Sequence, residues 1–321
     1  MIRLMNKRLY YKYSDYLKDK YGEKVYKVPV NINTTCPNRD GNIGKGGCIF
    51  CGEEGAGFEL LDNSITIEKQ IKENKNFIKN RYNADKFIIY FQNYTNTYID
   101  INLFKKYIID SIGEDVLEIS ISTRPDCIQD EILDFLKKIK DKHQIEISFE
   151  LGLQTCNYKT LSKLNRGHSL AEYIYSVTNI KKYNFEVCTH IILNLPWDEN
   201  IDSIENAKIL SSLKTDSVKI HSLYILEDTI LGNMYKENSI KIISKENYFK
   251  RVIDFLEYLD PQIGIQRLFS RAPKERTLFC NWDTSWWKLK DELLKMMKDN
   301  NSYQGKLFNY LEPKTVKNKK I

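Results

Sequence analysis

Three cysteines near the N-terminus are spaced as ligands of a metal centre. Cys36, Cys48 and Cys51 all lie in the segment CPNRDGNIGKGGCIFC. Because two residues separate Cys48 from Cys51, a short turn can bring both sulfurs to one side. The glycine-rich stretch between Cys36 and Cys48 lets the backbone fold closely around a bulky inorganic group. The spacing therefore predicts a site built from thiolates.

Three thiolates leave the nature of that site open. A zinc site with a further His or Cys ligand is one interpretation, since structural zinc takes four protein ligands. Unrelated free thiols in a flexible loop are a second. A third is a [4Fe-4S] cluster, which ordinarily takes four thiolates, so that three would leave one iron open. S-adenosylmethionine (SAM) can fill that position and accept one electron, which releases a deoxyadenosyl radical; side chains alone cannot do this chemistry.

Composition limits the class of protein. The chain has 321 residues, enough for one large domain or two smaller ones. With 42% hydrophobic and 29% charged residues, it is typical of a soluble globular protein. We expect a cytoplasmic protein without membrane contact, because no apolar run is long enough for a span and the N-terminus is too polar for a signal peptide. The net charge of +6 is a weak indication of a nucleic-acid partner.

Strands and helices alternate along most of the chain. We expect strands at 25–33, 86–92, 116–123, 144–154, 185–196 and 217–223, and helices at 66–82, 101–111, 128–140, 157–163, 169–183 and 201–213. Repeated βα units predict a parallel sheet with right-handed crossovers. The fold class is therefore α/β, a partial TIM-like (β/α)6 barrel. Its chemistry should lie at the carboxyl ends of the strands, where the cysteine loop follows the first strand.

Helical extensions should flank this core. Residues 1–24 form the N-terminal extension with a helix at 7–21, residues 25–224 form the core, and residues 225–321 form a C-terminal extension that closes the barrel. The extension should contain helices at 247–259 and 285–299, a last strand at 263–269, and a disordered basic tail, KTVKNKK. The stretch 224–235 is expected to be a loop or a short helical turn.

An ordered set of motifs resembles the radical SAM superfamily. The resemblance is to its YhcC/YtqA-like branch with an Elp3-type radical SAM core, and it is carried by CPNRDGNIGKGGCIFC, FQNYTNTY, STRPD, ELGLQT, LNRGH and NLP. It continues through IQRLFSRAP to YQGK and so covers nearly the whole chain. The resemblance implies a barrel of the radical SAM type and a [4Fe-4S] cluster held by Cys36, Cys48 and Cys51, with Phe50 shielding it.

The same resemblance assigns contacts to SAM. The methionine part of SAM would contact Gln92, Asn93, Tyr94 and Thr95, and its ribose would contact Ser122. Its ribose and carboxylate would be bound by Gln154 and Arg166. His190 matches a polar position on the fifth strand. Arginine suits a carboxylate because its planar fork can bind two oxygens. For Arg166 a surface salt bridge is the alternative interpretation, and for His190 a satisfied core histidine. The fifth-strand motif departs from the usual GLPGE, reading Asn194-Leu195-Pro196-Trp197-Asp198.

The resemblance also implies an activity. Such an enzyme cleaves SAM reductively and begins radical chemistry on its substrate, with electrons from a reductant such as flavodoxin or ferredoxin. Members of this branch from Gram-positive bacteria are linked to the wobble uridine of tRNA, where a carboxymethylaminomethyl side chain is converted to aminomethyl. A tRNA substrate is therefore expected. The alternatives are a radical enzyme acting on a small molecule or peptide, and a non-catalytic zinc protein.

The sequence assigns no catalytic residue. Basic side chains that could contact phosphate or carboxylate are Arg39, Lys45, Arg124, Arg267 and Arg271, although solvated or salt-bridged charges are the simpler interpretation of each. Lys219, His221 and Tyr224 should face the barrel mouth. Trp282, Trp286 and Trp287 are either core or a platform for base stacking. Cys127, Cys156, Cys188 and Cys280 are expected to be buried thiols outside the cluster.

Overall fold

A computed structural model describes residues 8–52, 55, 60–273 and 275–311. The strands are β1 (Val25–Val30), β2 (Lys86–Phe91), β3 (Val116–Thr123), β4 (Glu146–Gln154), β5 (Glu186–Ile192), β6 (Ser217–His221), β7 (Tyr224–Leu226), β8 (Gly264–Arg267) and β9 (Thr277–Cys280). The helices are α1 (Tyr13–Tyr21), α2 (Ile67–Tyr82), α3 (Ile101–Asp110), α4 (Asp130–His143), α5 (Tyr158–Lys163), α6 (Leu170–Lys182), α7 (Asn200–Ser212), α8 (Ile230–Lys236), α9 (Lys245–Tyr258) and α10 (Trp286–Asp299). Short 3₁₀ helices lie at Pro125–Cys127 and Asn281–Asp283.

The main sheet is a curled, parallel half-barrel, which confirms the predicted fold class. Its strand order is β1-β2-β3-β4-β5-β6-β8, so the six expected strands are followed by a seventh. Strand β8 pairs with β6 and comes from the segment 263–269, where a last strand was expected. Alongside β8, the carbonyl oxygen of Tyr11 accepts a hydrogen bond of 2.7 Å from the backbone N–H of Ile265. The N-terminal segment therefore covers the outer side of the last strand.

The two faces of this sheet differ in polarity. Successive side chains of a strand point to opposite faces. The outer face carries buried apolar side chains such as Ile89, Phe149 and Val187, which form one continuous core with the surrounding helices. The inner face carries charged side chains, and Lys27 of β1 reaches across it to Glu150 of β4. Burying the apolar face holds the layers together and leaves the polar face for chemistry.

The N-terminal helix begins later than predicted. It was expected from residue 7 but starts at Tyr13, and residues 1–7 lie outside the described part of the chain. The N–H of Tyr11 donates to the side-chain oxygen of Gln304 at 2.8 Å while its carbonyl bonds to β8. These long-range bonds hold the backbone before α1 extended. The helix itself packs Leu17 against Val25 and Ile88 at the amino end of the half-barrel.

The C-terminal region contains a small sheet that the sequence did not reveal. The stretch expected to be a loop or short helical turn contains β7 and α8, and β7 pairs antiparallel with β9. The N–H of Leu231 donates to the carbonyl of Ile49 at 2.9 Å, and both side chains lie in one buried cluster with Ile225. This segment therefore covers the cysteine loop.

The expected disordered tail and the expected domain boundaries stay predictions. The basic tail lies outside the described residues. The domain boundaries at residues 24 and 224 stay a prediction, although β8, from the last segment, is part of the main sheet. Among the described helices, none combines the length and the apolar character that crossing a bilayer requires.

A buried glutamine positions the start of the cysteine loop. Gln70 of α2 is fully buried. Its Oε1 accepts from the N–H of Asn31 at 2.8 Å, and its Nε2 donates to the carbonyls of Asn31 and Ile65, each at 2.8 Å. Asn31 directly follows β1, so this one side chain fixes the backbone that leads from the strand towards Cys36.

We expect Gln70→Ala to lower the free energy of unfolding by about 2–4 kcal/mol, because it removes a buried side chain's hydrogen bonds to three partly buried backbone groups. Urea denaturation followed by circular dichroism measures the change. The matched control is Gln262→Ala, at an exposed glutamine, which should cost less than about 0.5 kcal/mol. Equal effects of the two substitutions would contradict the role given to Gln70.

An ion cluster joins α1 to the amino end of the sheet. Lys20 contacts Glu186 at 2.6 Å and Glu118 at 3.1 Å. Burial, together with the negative charge of Glu118, raises the pKa of Glu186 from 4.5 to about 7. One ammonium group thus pairs with two carboxylates, and the carboxyl group of Glu186 is harder to ionise than an ordinary glutamate.

This arrangement predicts a pH dependence of stability. Because the pKa of Glu186 is higher in the folded protein, the folded state binds more protons than the unfolded state between pH 4.5 and about 7. The free energy of unfolding therefore falls as pH rises through that window. We expect Glu186→Gln to flatten this part of the profile, measured by urea denaturation from pH 4.5 to 8. The exposed, paired Glu131 supplies the control Glu131→Gln, and a Glu186→Gln profile parallel to wild type would refute the assignment.

Candidate active site

The cysteine loop docks on the turn that follows α5. The N–H of Ile49 donates to the carbonyl of Leu164 at 3.1 Å, and the side-chain amide of Asn165 donates to the carbonyl of Gly47 at 2.9 Å. In return, Nδ2 of Asn38 donates to the carbonyl of Asn165. Gly47 has φ of +85°, and a Cβ there would lie 2.9 Å from a side-chain carbon of Arg39. Glycine is therefore required where the loop turns towards Cys48.

Each of the three cysteines faces a different arginine. Cys48 Sγ lies 3.0 Å from a guanidinium nitrogen of Arg166, Cys51 Sγ 3.7 Å from Arg39, and Cys36 Sγ 4.0 Å from Arg124. Positive charge beside a sulfur favours the thiolate, which is the form that binds metal. Arg39 and Arg124 were considered as contacts for phosphate or carboxylate, with a solvated or salt-bridged charge as the simpler interpretation. Arg124 does pair with Asp126 at 2.7 Å, but the sequence did not predict the place of either arginine beside the cysteines.

The donor set fits an iron-sulfur cluster better than a closed zinc site. The three cysteines line one cavity of about 160 Å³ together with Phe50. Burial, followed by the charge of Cys48, outweighs the nearby Arg39 and raises the pKa of Cys51 to about 11, so any metal bound there would displace a proton. Among the described residues that line this cavity, there is no fourth cysteine, aspartate or glutamate. His190 does line it, but its Nε2 is 2.7 Å from Glu150.

The residues expected to contact SAM gather in the same place. Tyr94, Thr95, Ser122, Gln154, Arg166 and His190 all line the cysteine cavity. Gln92 and Asn93 line a second cavity, which shares Tyr94, Ser122 and His190 with the first. The structure therefore brings all eight positions together: seven lie near the carboxyl ends of strands β2 to β5, and Arg166 joins them from the turn after α5. Their roles in binding SAM stay a prediction.

An unusual turn after β2 presents four of these residues. Asn93 and Tyr94 have φ of +82° and +42°, a left-handed conformation that costs energy for side chains other than glycine. Asn96 stabilises it, because its buried Nδ2 donates to the carbonyls of Phe91, Asn93 and Ser122 at 2.8–3.1 Å. One amide thus ties the ends of β2 and β3 together.

Arg166 is a buried side chain rather than a surface salt bridge. Its Nη2 donates to the carbonyl of Gly152 at 2.7 Å and lies 2.9 Å from Nε2 of His168. Burial, followed by the charge of Arg166, lowers the pKa of His168 to about 3, so this ring is neutral and can accept from the guanidinium. The Nε of Arg166 is buried without a hydrogen-bond partner. An acceptor on a bound ligand, such as a carboxylate, would satisfy it.

The larger cavity, about 440 Å³, lies against strands β6 and β8. Lys219, His221 and Tyr224 line it, as expected from their place at the end of the sixth strand. Arg267, Arg271 and Trp286 line it too. Trp282 instead packs in the core, where its Nε1 donates to the carbonyl of Ile243 at 2.9 Å. The five residues of the altered fifth-strand motif, 194–198, are among the described lining residues of neither cavity.

A buried carboxylate beneath both cavities escaped the sequence analysis. Glu150 contacts Lys27, Lys219, His190 and Tyr90. Although burial opposes its ionisation, the two lysines hold the pKa of Glu150 well below its ordinary value. Burial lowers the pKa of Lys219 to about 8 and that of His190 to about 4. A charged residue inside the apolar run FELGL was the available signal.

The free thiols outside the loop are more varied than expected. Cys188 is buried, whereas Cys127, Cys156 and Cys280 are partly buried. Sγ of Cys188 lies close to Glu150 and His190, with all three ligand atoms within 4.8 Å of one another. Since two lysine ammonium groups already bind that carboxylate, the charge there disfavours a further cation.

Comparison with known proteins establishes the family. The model of the Radical SAM superfamily matches residues 30–208, which include the three cysteines and all eight residues expected to contact SAM. A model of the Radical_SAM C-terminal domain matches residues 215–299.

The chain belongs to the radical SAM superfamily.

Its relatives confirm the branch. It is 31% identical to the uncharacterized protein YtqA of Bacillus subtilis over 96% of this chain and 95% of that protein. It is 29% identical to the protein YhcC of Escherichia coli over 88% and 91% of the two chains. The structure of Elp3 from the archaeon Methanocaldococcus infernus superposes with a TM-score of 0.66 and 17% identity, covering 87% of this chain and 64% of that one. That likeness shows a shared fold.

Membership confirms the expected cofactors, a [4Fe-4S] cluster and SAM. When bound, the cluster supplies the electron that splits SAM, and radical SAM enzymes need a reductant to deliver it. In this chain, Cys36, Cys48 and Cys51 would hold the cluster, and Phe50 would keep water from it. Arg166, whose buried Nε has no hydrogen-bond partner, would bind the carboxylate of SAM.

The cysteine assignment predicts cluster content. We expect Cys36→Ala, Cys48→Ala and Cys51→Ala each to lose nearly all iron and sulfide after anaerobic reconstitution, because each removes one of three thiolate ligands. Iron and sulfide analysis with visible absorption spectra measures this. Cys280→Ala, at a cysteine absent from the described lining of the 160 Å³ cavity, is the matched control and should retain wild-type content. Stoichiometric zinc in place of iron in the wild type would overturn the assignment.

Proposed function

We propose that this radical SAM enzyme acts on the wobble uridine of tRNA and converts its carboxymethylaminomethyl side chain to aminomethyl. The proposal follows from the resemblance to the YhcC/YtqA-like branch. The observation that carries it furthest is the large cavity, which adjoins the cysteine cavity and is lined by basic residues. A substrate carbon placed there would lie next to the site where the radical forms.

The size of the cavity suits a single nucleotide. A volume of about 440 Å³ lies within the usual range of roughly 300–1,000 Å³ for small-molecule sites. Enzymes that modify a base take it out of its stack into such a pocket. The wobble base lies in a single-stranded loop, where sequence-specific RNA recognition usually occurs. Entry of one base therefore requires no opening of a duplex.

The rim of the cavity offers contacts for RNA. Trp286, which lines it, is 38% exposed, and its neighbour Trp287 is 51% exposed. Aromatic rings at such positions can stack on unpaired bases. Arg271 and Lys290 line the same cavity and can bind phosphate. These features support base stacking at Trp286 and Trp287, whereas Trp282 serves the core.

The remaining partners follow from the same proposal. We propose flavodoxin or ferredoxin as the reductant and the cytoplasm as the location, where tRNA and such reductants are both present. A small molecule or peptide in the same cavity is the alternative, since it would use the same cofactors. The two possibilities differ in what accumulates when the enzyme is missing.

Nucleoside analysis tests the substrate. We expect tRNA from a deletion strain to accumulate 5-carboxymethylaminomethyluridine and to lack 5-aminomethyluridine and nucleosides made from it. Mass spectrometry of digested tRNA measures both. Wild-type protein and Cys280→Ala should restore the profile, whereas Cys48→Ala should not. Wobble uridines that are unchanged by the deletion would exclude the tRNA substrate and favour the small molecule or peptide.

A further inference from the structure

The wall of the large cavity formed by β6 and β8 holds a cation without a matching anion. Arg267 lies at the end of β8 and lines the cavity. Its Nη2 contacts the ring nitrogens of His221. Burial and the charge of Arg267 hold the pKa of His221 well below its ordinary value, so the ring is neutral and provides no counter-charge. The Nε of Arg267 is buried and has no hydrogen-bond partner.

Other cations surround the same space. Lys219, Arg271 and Lys290 line the cavity with Arg267, and no aspartate or glutamate is among its described lining residues. The guanidinium carbon of Arg271 lies 5.0 Å from the ring centroid of Trp286, and both residues line the cavity. Like charges held together in a recess repel one another and are stabilised by an anion.

The nearest buried carboxylate does not compensate this charge. Glu150 lies beneath the cavity, where Lys27 and Lys219 both bind it. Tyr90 donates a further hydrogen bond to it at 2.7 Å. Because two ammonium groups already share this one carboxylate, the charge of Arg267 remains without a partner. A partly buried guanidinium whose buried Nε has no acceptor is costly, and an anion bound in the cavity could supply that acceptor.

We propose that an anionic group of the substrate, a carboxylate or a phosphate, binds between Arg267, Arg271 and Lys219. This contact would anchor one end of the substrate at the β6–β8 wall. The reacting carbon would then point towards Tyr94, Ser122 and His190, which the large cavity shares with the cysteine cavity. The inference deepens the proposed function, and its choice of nucleoside probes rests on that function. For a modified uridine, the anion is either the side-chain carboxylate or the nucleotide phosphate.

Calorimetric titration separates these sources. The reconstituted enzyme, with SAM and without reductant so that no turnover occurs, is titrated with 5-carboxymethylaminomethyluridine, the corresponding primary amide, which lacks the carboxylate charge, uridine 5′-monophosphate and uridine. A bound carboxylate predicts that the acid binds at least about 10-fold more tightly than its amide, the effect of a charge-assisted hydrogen bond. A bound phosphate predicts the same ratio for the monophosphate over uridine.

Variants assign the effect to the cation. We expect Arg267→Gln to weaken binding of the probe with the preferred anion by about 10-fold or more and to abolish its preference over the matched probe that lacks that anion. Arg267→Lys should restore part of it. The matched control is Arg81→Gln, at an exposed arginine in the last turn of α2, which should bind like wild type. Thermal unfolding followed by circular dichroism checks that each variant is folded. If Arg267→Gln does not fold, Arg271→Gln provides a second test in the same cavity.

The outcomes distinguish this inference from the proposed function. Titration with acetate and inorganic phosphate tests the anion site without any nucleoside. If these anions bind in an Arg267-dependent way while tRNA nucleosides in the deletion strain are normal, the anion site stands and the tRNA substrate falls. If neither anions nor nucleosides respond to Arg267→Gln or Arg271→Gln in folded protein, the anion site is wrong, whatever the nucleoside profile shows.

Discussion

The half-barrel is organised around the need to compensate one buried carboxylate. Glu150 is almost completely buried on β4, and an unpaired charge there would cost several kcal/mol. Its partners come from other strands: Lys27 from β1, Tyr90 from β2, His190 from β5 and Lys219 from β6. Side chains from strands that are not neighbours can reach one point only if the sheet curls around it. The ion network and the curvature of the sheet therefore depend on each other.

This network also sets the polarity of the site above it. Lys219 and His190 both bind Glu150, and this holds them at the base of the large cavity. His190 also lines the cysteine cavity. Two residues beyond Glu150, Gly152 leaves the room that Arg166 needs, because a Cβ there would lie 3.2 Å from its guanidinium. The strand that carries the buried charge thus also shapes the cofactor pocket.

The cysteine loop illustrates how distant segments complete a local motif. A glycine-rich loop bearing three thiols has no core of its own. It is covered by α8 and the small β7–β9 sheet from the C-terminal region, through Leu231 and Ile225. Guanidinium groups from three separate places in the chain, Arg39, Arg124 and Arg166, approach its sulfurs. Such surroundings would limit the access of water to a bound cluster and influence its reduction potential, because the groups around metal ligands control both.

The sequence by itself determined the features that depend on local patterns. The cysteine spacing, the βα rhythm that gave the α/β fold class, and most element positions follow from periodicity and short motifs. Only the tertiary structure decided which distant charges meet. It showed that Arg39 and Arg124 approach the cysteines, that Arg267 and Arg271 line the neighbouring cavity, that Tyr11 is bound to β8 before α1 begins, and that β9 exists. The physical reason is that these arrangements are fixed by contacts between residues far apart in the chain, whose charges and hydrogen bonds are satisfied only once the sheet has curled.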